Sequence, residues 1–196
     1  MRVKQIYLII DVQIPLAKLQ ADLKLILQDL DKVQLYNTEE ISVENLQKYI
    51  FWFLENSLAQ VFIYENMLAL ELSKNIGIHL DTPEDLTGLE QKLNRKIPKG
   101  CTVGNDLAVL KRAQKYGYDY ISFCSVFPTK SANVCELVKF ENIRKARALF
   151  SGEIFLAGGI TPKTRKMLDN VDFDGIATIS ALMTSKDKRK TIESLK

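Results

Sequence analysis

Gly158 and Gly159 stand side by side between an apolar run and the start of a helical pattern. Glycine is costly inside regular structure, because its backbone loses the most freedom on folding. A pair here serves a sharp turn or lets something come close to the backbone. Bare amides in such a turn, backed by a helix N-terminus, suit an anion such as phosphate. Cysteine chemistry is a weaker prospect. Cys101, Cys124 and Cys135 are odd in number and form no CxxC pair, which fits a reducing compartment and neither a disulfide framework nor a zinc site.

The elements that position the glycine pair follow from the alternation of short apolar runs with helical patterns. Strands are expected at Ile6–Asp11, Val33–Tyr36, Val61–Tyr64, Gly77–Leu80, Cys101–Gly104, Tyr120–Phe127, Glu153–Gly158 and Gly175–Ser180. After the first comes a helix with Leu16, Leu19, Leu23, Ile26, Leu27 and Leu30 on one face. Ser42 is placed to cap the second helix and Asn105 the fifth. Glu65 to Lys74 reads as helical, and Pro162 sits in the first turn of the seventh helix. The strands are continuous apolar runs, as strands covered on both faces should be. Eight strand–helix units in one unbroken stretch predict an α/β fold, a single (β/α)8 TIM barrel over residues 1–196. In such barrels the working loops follow the strand C-termini, with a common phosphate site after strands seven and eight. Gly158 and Gly159 end strand seven, and Ile179 and Ser180 end strand eight. All four become candidate phosphate ligands through their backbone.

Composition narrows the function further. With 46% hydrophobic and 26% charged residues, the 196-residue chain has the balance of a folded globular protein. A net charge of +3 is mild, and no basic run carries interleaved aromatics, so nucleic acid is not an expected partner. The opening apolar run is too short to span a bilayer and has no small-residue cleavage site, so the expected location is cytoplasmic. The Lys-rich end reads as a solvated last helix.

"AGGITPKTRKMLDN" and "FDGIATISALM" resemble the end of the thiamine phosphate synthase and thiazole tautomerase family. "YDYISFCSVFPTKS", "GIHLDTPEDL", "VQLY" and "IYLIID" are similar to its upstream segments, in the right order. The resemblance implies a transferase that joins hydroxymethylpyrimidine diphosphate to thiazole phosphate, with Mg²⁺ as cofactor and small phosphorylated molecules as partners. It implies phosphate contacts at Gly158, Gly159, Ile179 and Ser180, joined by Thr129 and Ser131. Gln34, Thr102 and Lys130 take the catalytic positions, Tyr7 and Tyr36 line the pyrimidine pocket, and Glu65 with Asp85 take the metal positions. Asp81 competes with Asp85 for that role. His79, the one histidine, matches a family histidine and reads as a barrel-interior residue.

The sequence departs from the family pattern where cations should face the diphosphate. Tyr36, Thr38 and Ala132 stand where the family has Arg or Lys. Each charge-assisted contact is worth roughly 1.5–3 kcal/mol, so losing two or three weakens transition-state stabilisation by a factor of about 100 or more. Two further activities therefore stay open: a thiazole tautomerase-like isomerase, for which Gly104 supplies no base, and a phosphate-ligand-binding paralogue without catalysis. The oligomeric state is left open, a homodimer included.

Overall fold

The structure, a computed structural model, describes residues 3–129 and 136–196. Eight parallel strands close into a barrel in chain order. They are β1 (Gln5–Asp11), β2 (Lys32–Tyr36), β3 (Gln60–Tyr64), β4 (Ile76–Leu80), β5 (Lys99–Val103), β6 (Tyr120–Phe123), β7 (Glu153–Ala157) and β8 (Gly175–Thr178). The helices are α1 (Leu16–Leu23), α2 (Val43–Asn56), α3 (Thr87–Lys92), α4 (Leu107–Lys115), α5 (Phe140–Leu149), α6 (Pro162–Arg165), α7 (Ser180–Met183) and α8 (Lys188–Leu195). The expected (β/α)8 barrel is the fold found.

Period-two alternation divides each strand between two cores. Ile6, Leu8 and Ile10 of β1 point outward into the apolar layer that the helices share, where Leu19 and Leu23 of α1 are fully buried. Burying each such side chain contributes about 1.5–3 kcal/mol. Tyr7 points inward and packs with Phe62, Tyr120, Phe155, Ala157 and Ala177. Glycines on the strands make room for these rings. A Cβ on Gly100 would lie 2.0 Å from the Tyr120 ring, and one on Gly175 would lie 2.5 Å from the Phe155 ring. The N-terminal end of the barrel is closed by Lys32, whose buried ammonium meets Glu153 at 2.8 Å and Gln60 Oε1 at 2.8 Å.

Several expected element boundaries move. Ser42 caps α2 as anticipated, its Oγ accepting from the Asn45 amide. The stretch from Glu65 to Lys74 holds a 3₁₀ helix at Met67–Glu71 only, because Glu65 takes a left-handed φ of 54° that no α-helix tolerates. Asp106, not Asn105, caps α4 by accepting from the Ala108 amide. Asn105 is turned outward, accepting from the Lys139 amide at 2.9 Å and bridging to α5. Strand six stops at Phe123, and its apolar continuation to Phe127 is a buried loop, with the Val126 amide donating to Ala157 O at 2.8 Å. Strand eight stops at Thr178, so Ser180 begins α7. The Lys-rich end is helical in α8 but buries Ile192 and Leu195.

Candidate functional site

The C-terminal ends of β7 and β8 open on a cavity of about 370 Å³, within the roughly 300–1,000 Å³ usual for small ligands. Gly158, Gly159, Ile179, Ser180 and Thr129 all line it. Gly158 and Gly159 adopt φ values of 88° and 65°, the left-handed region that glycine enters freely. Both also admit the protein's own chain. A Cβ on Gly158 would sit 2.0 Å from Ser125 Oγ, and one on Gly159 would sit 2.7 Å from the Phe127 and Pro128 carbonyl oxygens. The Gly158 carbonyl accepts from the Phe127 amide at 3.0 Å. In a planar trans peptide the Gly159 N–H points the opposite way. The Gly159 carbonyl is likewise held by Thr164 Oγ1 at 3.1 Å, inside a Thr161–Thr164 capping box. Behind the cavity, the first amides of α7 have no acceptor within their own helix. This arrangement can hold an anion through main-chain N–H groups. Lys130, Ser131 and Ala132 lie outside the described residues.

Beneath the mouth, side chains from five strands form one hydrogen-bonded chain. Tyr7 Oη donates to Gln34 Oε1. Tyr7 and Tyr120 share a hydrogen bond at 2.8 Å, Tyr120 Oη meets His79 Nδ1 at 2.9 Å, and His79 Nε2 meets Thr102 Oγ1 at 3.0 Å. The chain thus links three expected site residues, Gln34, Tyr7 and Thr102, through His79 and Tyr120. Burial lowers the pKa of His79 to about 4, with a smaller opposing effect from Asp81. The imidazole is therefore neutral at physiological pH. Burial also raises the phenols of Tyr7 and Tyr120 well above their ordinary range. Tyr7 is fully buried and stands a layer below the open cavity. Tyr120 was not singled out from sequence. The usable signal was a hydroxyl-bearing aromatic on the inward register of a strand, since Tyr120 pairs with Gly100 and Glu153.

The opposite rim is acidic. From the C-terminal end of each of β1 to β5 to the helical turn that follows it, the segments carry Glu39, Glu40, Glu65, Asp81, Glu84, Asp85 and Asp106 but no Lys or Arg. Tyr36 Oη donates to Asp11 Oδ2 at 3.3 Å, and burial, then Asp11, raises the Tyr36 phenol. Thr38 is buried, its Oγ1 accepting from Asn66 Nδ2 at 3.1 Å. Glu65 and Asp81 come together: the Asp81 amide donates to Glu65 Oε1, and Tyr64 Oη donates to Asp81 Oδ2 at 2.5 Å. Asp85 instead accepts from Thr87 Oγ1 at 2.6 Å and from its amide at 3.0 Å, starting α3 and holding its own carboxyl below the usual range. Among the described residues no three His, Cys, Asp or Glu side chains converge as a metal set. A larger hollow of about 720 Å³ opens at the other end of the barrel, but its Lys99 and Glu90 are paired with each other, and barrel chemistry belongs to the C-terminal face.

Fold and site together define a class: a (β/α)8 barrel with a cavity at its C-terminal face beside β7 and β8. A model of the thiamine monophosphate synthase family matches residues 6–182. The chain belongs to that family. It is 29% identical over 140 residues to a thiamine-phosphate synthase of Pyrococcus abyssi, covering 69% of this chain and 66% of that one. It is 29% identical over 131 residues to one of Lactococcus lactis, covering 66% and 60%. The alignments thus span less than two thirds of these relatives. A thiamine phosphate pyrophosphorylase structure from Pyrococcus furiosus shares the fold, with a TM-score of 0.75 at 24% identity over 97% of this chain and 93% of that one. So does a 3-hexulose-6-phosphate synthase from Salmonella typhimurium, with a TM-score of 0.71 at 13% identity over 97% and 96%. No helix among the described residues is long and apolar enough to cross a membrane.

Proposed function

We propose that this chain joins hydroxymethylpyrimidine diphosphate to thiazole phosphate, giving thiamine phosphate and diphosphate, in the cytoplasm. The observation that carries the reading is the cavity at Gly159 and Ser180, opening above a polar chain that ends at Gln34 and Thr102. The thiazole phosphate sits on the amides of Gly158, Gly159 and Ser180, with Thr129 beside it. The pyrimidine lies over Gln34 and Thr102, with Tyr36 at its edge. The carbon–oxygen bond to diphosphate breaks, and its electron pair leaves with the diphosphate. The thiazole nitrogen then gives its lone pair to the exocyclic carbon, forming the new carbon–nitrogen bond. Holding both rings in line supplies much of the acceleration, since positioning converts a bimolecular step into an effectively unimolecular one.

The donor set fits Mg²⁺, which takes one or two carboxylates and completes its shell with substrate phosphates and water. Glu65 and Asp81 would hold it, being adjacent at the ends of β3 and β4; Asp85 lies further along the same loop, occupied with Thr87. When bound, the ion neutralises charge on the departing diphosphate. With no Lys or Arg in the five segments that follow β1 to β5, that neutralisation has few other sources.

The same lack of cations favours a second reading, a phosphate-ligand-binding paralogue. A tautomerase-like isomerase is less favoured, because Gly104 carries no base and His79 is tied at both nitrogens. Incubation with both substrates and Mg²⁺ should form thiamine phosphate, and excess chelator should abolish it. A background rate, with thiazole phosphate still binding in calorimetry, would replace the transferase reading with the binding one.

A further inference from the structure

A glycine pair does not set its own direction. Gly158 and Gly159 have no side chain to bias the backbone, and both sit at positive φ, where glycine moves freely. The peptide between them is oriented through its carbonyl, which accepts from the Phe127 amide at 3.0 Å and so turns the Gly159 N–H the other way. The connection between β6 and α5 therefore aims the amide that would meet an anion. That connection is itself held. The Val126 amide donates to Ala157 O at 2.8 Å, and buried Ser125 gives its hydroxyl hydrogen to Phe127 O at 2.8 Å. Ser125 O accepts from the Val138 amide at 2.9 Å, which ties the outgoing arm of the connection to the returning one.

Asn105, in the loop after β5, grips the returning arm a second time. Its Nδ2 donates to Leu137 O at 3.0 Å, and its Oδ1 accepts from the Lys139 amide at 2.9 Å. A carbonyl and an N–H two residues apart are what one residue of a parallel strand pairs with, and the planar carboxamide offers the matching donor and acceptor. Asn142 of α5 donates from Nδ2 to Asn105 Oδ1 at 3.1 Å and to its carbonyl at 3.2 Å, which fixes the face that the carboxamide presents. Capping of α4 does not claim this side chain, because Asp106 caps it. Asn105 stands outside the lining of the cavity. We propose that Asn105 is a positioning residue for the anion site: its carboxamide clamps the returning arm and, through Val138, Ser125 and Phe127, aims the Gly159 N–H. The proposal rests on the cavity being an anion site, and not on which reaction follows there.

Amide hydrogen exchange reads the route before any ligand is added. In Asn105→Ala the Phe127 and Val138 amides should exchange at least about tenfold faster than in the wild type, while amides of β1 to β4 keep their rates. Calorimetry with inorganic phosphate should show affinity lowered about tenfold, the worth of one buried hydrogen bond. Asn105→Asp should lose as much, because its second oxygen meets the Leu137 carbonyl with no hydrogen to give. A purely structural role would speed exchange in the strands in step with Phe127, or leave phosphate affinity within about twofold of the wild type, a factor small beside the tenfold worth of one hydrogen bond; either result would overturn the proposal. Wild-type affinity in Asn105→Asp would overturn the two-point clamp. A wild type that binds no inorganic phosphate would remove the anion site, and the proposal with it, whereas absence of transferase activity would touch only the reaction. Should Asn105→Ala fail to fold, Asn105→Asp carries both measurements.

Discussion

Gly159 meets two demands at one position. Its φ of 65° is strained for any side chain, and a Cβ there would sit 2.7 Å from two carbonyl oxygens of the loop after β6. Those carbonyls belong to backbone and cannot swing aside as a flexible side chain would. Gly159→Ala should therefore cost about 1–3 kcal/mol of stability, the usual price of a residue held in a forbidden region. It should also tilt the peptide whose N–H points away from Phe127 and weaken inorganic phosphate binding by at least about tenfold. Chemical denaturation and calorimetry read the two effects separately. Phosphate affinity equal to that of the wild type would remove Gly159 from the cradle. Legible from sequence at this scale were the glycine pair and its neighbours Ile179 and Ser180, because a local conformational need leaves a local mark. Tyr120 and His79 left none as partners. Residues 79 and 120 meet only where the barrel closes.

At the scale of elements, the sequence pattern located all eight strands and misjudged several ends, for identifiable reasons. The run after Phe123 stays apolar because the loop packs on the barrel, with Val126 buried, and not because the strand continues. A 3₁₀ turn at Met67–Glu71 presents the same short apolar spacing as an α-helix. Asn105 and Asp106 are both good caps by type, and only tertiary contacts separate them. Asp106 accepts from the Ala108 amide at 2.8 Å, whereas Asn105 is committed to Leu137 and Lys139 in the neighbouring connection before α5. Asp106→Ala should cost about 1 kcal/mol, the typical value of an N-cap. The denaturation midpoint should fall without a change in slope, since the surface exposed on unfolding is unchanged. A loss well below half of that would show that the cap adds little to α4.

Across the whole molecule, charge is arranged by depth. Paired charges close the N-terminal end through Lys32 and Glu153, carboxylates crowd four loops of the mouth, and a neutral polar chain crosses the interior between them. That interior chain gives the barrel a pH dependence of definite sign. His79 has a pKa lowered from 6.5 to about 4 in the folded state because it is buried, while in the unfolded chain it titrates near its ordinary value. Below pH 6.5 the unfolded state therefore binds a proton that the folded state refuses, and stability falls with pH until the folded pKa is reached. The contribution is fully present above the unfolded pKa. Between pH 7 and pH 5 the loss should be about 2 kcal/mol, before most carboxylates begin to titrate. Urea unfolding at the two pH values measures it, and His79→Gln, which keeps a polar group but cannot titrate in this range, should flatten the difference. An equal loss in both proteins would assign the acid sensitivity to other groups and place the imidazole in a less buried setting than the barrel interior provides.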